Sequence, residues 1–184
     1  MNTQPTAPVL EIVSVGHHTA EVTWTYSESD VGMSHYVLYN NNEIEFTSFD
    51  ALTNDVQMLE LEPGMDYVLY VIGVDIDGVA SEPSNQVTVV TKAHQFLPAK
   101  PTITAHQMPD DSYVAVSWMS FPLDNSDGYI IYRDGGVIYA EDNWQDLSEL
   151  DTTTVSGSTY SYTAIAYNSM GNSEMSEPVS ITVS

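Results

Sequence analysis

The sequence predicts an all-β fold, two tandem seven-stranded antiparallel β-sandwiches, and three observations carry that expectation. Short runs rich in Val, Ile, Thr and Tyr alternate in polarity between clusters of Gly, Pro, Asn, Asp and Ser, and no stretch shows a helical period. Aromatic residues form a ladder that is laid down twice. Trp24, Tyr36 and Tyr67 are followed by Trp118, Tyr129 and Tyr160, the tyrosines at an offset of 93 residues and the tryptophans at 94. A repeat that long exceeds a solenoid unit and matches a small domain duplicated in tandem. Hydrophobic residues make up 42% of 184, enough for two modest cores.

The strands of the first copy read in order from this pattern. Residues 9–15 (VLEIVSV) form a strand, and GHHT a turn in which His17 and His18 are turn residues. Residues 20–26 (AEVTWTY) place Ala20, Val22, Trp24 and Tyr26 on one face, and 35–40 (HYVLYN) turn Tyr36 and Leu38 inward. Shorter strands are expected at 43–46 and 56–61. The near-continuous apolar run 67–75 reads as a central strand, and 86–91 closes the sheet. The second copy repeats the order with PTITAHQ, YVAVSW, YIIYRDG, VIYAE, a weakly patterned stretch, YSYTAIAYN and VSITVS. Arg133, on YIIYRDG, is expected to face an acid on the sheet surface. All six ladder rings are expected to be buried.

Charge and composition exclude several functions. Twenty-six acids face Lys92, Lys100 and Arg133, for a net charge of −23. Such a surface repels nucleic acid and anionic lipid, because phosphate binding needs lysine and arginine. No cysteine is present, which removes disulfides, thiolate metal sites and cysteine nucleophiles. The longest apolar stretch, residues 68–74, is too short to span a bilayer, so no membrane insertion is expected. The polar N-terminal residues read as lacking a signal peptide. No serine elbow, P-loop or HExxH spacing occurs, and the chain is expected not to be an enzyme.

Each half resembles a fibronectin type III domain. The marks are VTW (22–24) and VSW (116–118) on the second strand and YVLY (36–39) and YIIY (129–132) on the third. LEPGMDY (61–67) resembles the family's tyrosine-corner segment, and the runs DGVASEPS and MGNSEMSEP fit its last loop. The second corner, TVSGSTY (154–160), departs from it with Thr154 and Ser156 in place of leucine and proline, so a looser corner is expected. The resemblance implies an immunoglobulin-like sandwich in each half. The expected domains are 1–92 and 101–184, with a linker at 93–100 stiffened by Pro98.

In that fold the second-to-third and sixth-to-seventh strand loops share one end of each domain. For the first domain this end gathers Glu28, Asp30, Asp75, Asp77 and Glu82, oxygen ligands of the type calcium takes. Asp75-Ile76-Asp77-Gly78 looks like a fragment of a calcium loop, though the other ligands of the EF-hand pattern are missing. A solvated acidic loop is the plainer alternative. In the second domain the same loops, with the linker, offer Phe96, Leu97, Phe121, Leu123, Met170 and Met175. Apolar residues clustered on loops form either an interdomain contact or a site for a partner.

The functional expectation is a non-catalytic structural and binding protein of a larger assembly. A phage virion accessory subunit, decorating a capsid or tail and contacting protein, fits the acidity and the polar N-terminal residues. The alternative is a spacer or carbohydrate-contacting module of a secreted bacterial glycoside hydrolase or adhesin. Either places the chain outside the cell or on a virion surface.

Overall fold

Side chains that alternate along the sequence alternate across the sheets. In β1 (Leu10–Val15) and β2 (Ala20–Trp24), Leu10, Ala20, Val22 and Trp24 are buried while Glu11, Glu21 and Thr23 pair on the outer face. A computed structural model describes residues 3–48, 50–58, 60–109 and 112–184, and the chain divides into two units, 1–93 and 94–184. In the first unit β5 (Asp55–Met58) joins β2, giving a sheet of order β1-β2-β5. The second sheet has order β4-β3-β6-β7, from β3 (Met33–Asn40), β4 (Glu43–Thr47), β6 (Asp66–Asp75) and β7 (Val87–Val90). Asn41 and Asn42, both at positive φ, make the tight β3–β4 turn. The expected strand over 56–61 ends early at Met58; residue 59 lies outside the described residues, and Glu60 turns the chain with a φ of 60°.

The second unit repeats this plan. β8 (Thr102–Gln107), β9 (Val114–Met119) and β12 (Ser148–Asp151) form one sheet, of order β12-β9-β8. In the other, β11 (Gly136–Glu141) pairs β10 (Gly128–Arg133), which pairs β13 (Thr159–Asn168). The last strand is split into β14 (Gly171–Asn172) and β15 (Val179–Thr182), both on β13. Each unit is thus an antiparallel two-sheet sandwich. Among the described residues no helix is long and apolar enough to cross a membrane.

One indole and one phenol ring close each core. Trp24 and Tyr36 meet with centroids 5.8 Å apart at 55°, and Trp118 meets Tyr129 at 6.3 Å and 53°. Tilted pairs at such distances add about 0.5–1.5 kcal/mol beyond the area they bury. The buried hydroxyls are satisfied by backbone, since Ser27 N donates to Tyr36 Oη at 2.7 Å and Ser120 N to Tyr129 Oη at 3.3 Å. Tyr67 and Tyr160 are only half-buried, because they stand at the sandwich edge and reach for a loop. Glu62 N donates to Tyr67 Oη at 2.7 Å, and Val155 N to Tyr160 Oη at 3.1 Å. Both corners form, the second with the longer bond. Gly64 and Gly157, at φ of 74° and 81°, supply the left-handed turn inside each.

Serines complete the last strand where its ladder breaks. Ser84 Oγ accepts from Val71 N at 3.0 Å and donates to Asn85 O at 2.7 Å; Ser81 Oγ likewise accepts from Gly73 N. Ser176 and Ser173 serve Ala164 N and Ala166 N in the second unit. A hydroxyl does what a strand carbonyl would do, so no buried amide there is left unpaired.

Among the positions at which the two cores differ, three act together in the second unit. Asn40, Met58 and Leu69 of the first unit become, 93 residues later, Arg133, Asp151 and Tyr162. Arg133 does not lie on the open sheet surface: its Nη1 donates to Asp151 Oδ2 at 2.7 Å and to Thr153 Oγ1, and its guanidinium lies 5.0 Å over the Tyr160 ring. Tyr162 Oη donates to the same carboxylate at 2.9 Å. Burial alone would raise the Asp151 pKa, but the hydroxyl and amide of Thr153, with Arg133 and Tyr162, outweigh it and hold the carboxyl below its usual range.

Removing Arg133 alone, as Arg133→Met, is expected to destabilise the second unit by about 3 kcal/mol, because it strands a buried carboxylate. Installing the first unit's residues together, as Arg133→Asn, Asp151→Met and Tyr162→Leu, should leave stability within roughly 1–2 kcal/mol of wild type or above it. Urea titration of the full chain reads both. A depressed folded pKa contributes stability above the unfolded value, about 3.9, and loses it as pH falls through the folded value. Wild type should therefore lose melting temperature below about pH 4 more steeply than the triple variant.

Candidate functional site

At the loop end of the first unit the acids serve the chain itself. Asp75, the last residue of β6, is 1% exposed. Its Oδ1 accepts from Asp77 N at 3.0 Å and Val79 N at 2.8 Å, and its Oδ2 from Ser29 Oγ at 3.3 Å. These bonds shape the turn that Gly78 completes with a φ of 81°. Asp77, Glu28 and Asp30 are exposed around it. Thr3 Oγ1 donates to Asp30, and Gln4 Nε2 reaches Ala80 O and the carboxylate of Glu82. Thr6 and Glu28 exchange two bonds, Thr6 N to Glu28 O and Glu28 N to Thr6 Oγ1. Residues 3 and 4 thus bring neutral donors to the carboxylates of Asp30 and Glu82, while Glu28 is bonded through its backbone. His17 and His18 hold the turn as expected of turn residues, donating from Nδ1 to Lys92 O and Leu61 O.

Asn168 stands 93 residues after Asp75, at the end of β13, and repeats its turn by accepting from Met170 N at 2.9 Å. Its amide group also donates to Phe96 O and to Asn125 O, both at 2.9 Å. Asn125 donates to Leu97 O at 3.3 Å, and His94 Nε2 meets Asp127 Oδ1 at 2.8 Å. The segment 94–97, expected within a linker, is stitched by these bonds to the loops of the second unit. Gly171 allows this closeness, for a Cβ there would stand 3.2 Å from Leu97 Cδ2.

That anchored backbone presents apolar side chains to water. Phe121 is 81% exposed and Phe96 74%, and Leu97, Met170, Met175 and Met119 at the end of β9 are exposed as well. Leu123, in a single 3₁₀ turn over Leu123–Asn125, is half-buried. Asp124, Glu174 and Glu177 stand on the same loops, Glu177 paired with Lys100. What the sequence reading missed is the positioning set, His94, Asn125 and Asn168. Asn168 was legible only through its offset from Asp75.

Comparison with known proteins adds little beyond the architecture. No protein-family model matches the sequence, and no curated protein matches it. Among solved structures the chain is similar to the central fibronectin-III array of RIM-binding protein, at 18% identity over 99% of this chain and 64% of that one, with a TM-score of 0.40. It is also similar to the FN1-FN3 domains of chicken CNTN1, at 17% identity over 96% of this chain and 66% of that one, with a TM-score of 0.43. The Family 28 exopolygalacturonase of Yersinia enterocolitica shares 13% identity over 50% of this chain and 20% of its own, with a TM-score of 0.41. The chain spans just under two thirds of the first two. Strand order and the two tyrosine corners, not these distant likenesses, define the class: a tandem of fibronectin type III-like β-sandwiches.

The two roles of the acidic end are separable by substitution. Asp75→Ala is expected to cost the first unit about 1–3 kcal/mol by orphaning the amides of Asp77 and Val79, whereas exposed Asp77→Ala should stay within roughly 0.5 kcal/mol. Urea denaturation with and without calcium checks both; equal losses, or a calcium-dependent gain that each substitution abolishes, would mark a ligand role instead.

Proposed function

We propose that this chain is a non-catalytic structural and binding module of a larger assembly, and specifically an accessory subunit appended to the capsid or tail of a phage virion. The supporting observation is the loop end of the second unit. Hydrogen bonds from and to Asn168 fix the backbone at Phe96 and Met170, whose side chains are exposed, and Phe121 and Met175 are exposed on loops of the same unit, as a contact surface requires. Exposed aromatic and methionine side chains on fixed loops suit protein contact, the methionines adapting to the partner's shape. A net charge of −23 keeps the same molecule off nucleic acid and anionic membranes, which suits a subunit on a particle's outside.

Quantitative mass spectrometry of purified particles from the source culture tests this. The chain is expected at a fixed copy number per particle, and Phe121→Ser with Met170→Ser should fold normally yet lose most incorporation. Absence from particles, together with retention of the isolated chain on insoluble polysaccharide, would replace this proposal with the carbohydrate-contacting module of a secreted enzyme or adhesin.

A further inference from the structure

We propose that the outward faces of the two larger sheets are self-association surfaces, each made to meet a second copy of this chain, and that ionic strength controls the pairing. This goes beyond the role proposed above and does not depend on it. Directly opposed residues in antiparallel strands share a face, so the registers define what each sheet shows to water. On the β4-β3-β6-β7 sheet Val37, itself only 9% exposed beneath its neighbours, opposes Ile72, and Tyr39 opposes both Tyr70 and Ile44. The Tyr39 and Tyr70 rings stack at 4.8 Å and 5°. In the second unit Ile130 opposes Ile165, and Tyr132 opposes Val137. Four of these fall at matched positions 93 residues apart: Val37 and Ile130, Tyr39 and Tyr132, Ile44 and Val137, Ile72 and Ile165. Ile44 is 64% exposed and Val137 58%.

Strand propensity does not account for this. On the β1-β2-β5 sheet the same chain fills the outward pairs with Glu11 and Thr23, Glu21 and Gln57, and Thr23 and Asp55. In the first unit, therefore, these outward cross-strand pairs are polar on the smaller sheet and apolar on the larger.

Charge selects the occupant. The acids of the strands bearing the first face stand at its rim, Glu43 and Glu45 on the edge strand β4, Asp66 at the start of β6 and the buried Asp75 at its end. In the second unit Glu141 ends β11 and Asp134 lies beyond β10. A basic partner would find no carboxylate at the centre of either face. A second copy can lay apolar centre on apolar centre, and meets the repulsion of the rim acids and of two bodies of −23. That repulsion is screened within about 3 Å at 1 M salt. Four strands about 4.8 Å apart and about six residues long offer roughly 400 Å², half of what each partner gives to a stable interface. One such face gives weak, reversible pairing.

Sedimentation velocity of the full chain at about 0.05 M and about 1 M sodium chloride tests the proposal. Pairing should appear or strengthen at least tenfold in the higher salt. Ile44→Asp with Val137→Asp, at sites too exposed to disturb folding, should keep the chain monomeric; Val90→Asp is a second variant on the first face. A chain that stays monomeric in high salt, pairs less tightly there, or pairs equally well with these substitutions overturns the proposal.

Discussion

Everything in this molecule depends on one constraint: each pair of sheets must close over a tryptophan without leaving a polar atom of its partner tyrosine unpaired. Trp24 and Trp118 fill the space between the layers, and Tyr36 and Tyr129 cross to meet them. A buried phenol is tolerable only with a partner, and the amides of Ser27 and Ser120 provide one. That bond fixes where the second strand ends and where the loop to the third begins. The loop ends, and the side chains they display, are set from there.

Once closed, the sandwich accommodates quite different interiors. The first unit fills the space beneath its corner with Met58 and Leu69, the second with an arginine, a carboxylate and a tyrosine. The polar set holds together because both carboxylate oxygens of Asp151 are bonded, by Arg133, Thr153 and Tyr162, a condition that makes single substitutions there costly and concerted ones mild. The loop turns vary within the same rule. Asp75 and Asn168 cap the same strand end, and only the asparagine has a donor left over to fasten residues 96 and 125.

Most of the fold was legible because it is written in period and spacing. VTW, YVLY and LEPGMDY place the tryptophan, the central tyrosine and the corner, and the corner survives in TVSGSTY because its tyrosine and glycine suffice. β12 was not legible, since its polarity runs backwards: Asp151 points in and Leu150 out. Arg133, 18 residues earlier, together with Thr153 and Tyr162 explains why an acid can sit there, and no local pattern shows that set. The serines of the last strand were read as loop because hydroxyls doing a carbonyl's work leave no mark in hydrophobic pattern. At the loop ends the sequence shows which residues gather but not what their atoms do. Asp75 looks like a ligand until its amide partners are seen.

The central claim is that each half is a separate sandwich closed by its own tryptophan. Differential scanning calorimetry of the full chain carrying Trp24→Ala tests it most directly. Loss of a core tryptophan costs about 3–5 kcal/mol, so the transition of the first unit should fall or vanish while that of the second keeps its midpoint and enthalpy. A single transition that moves as a whole, or loss of both, would contradict it.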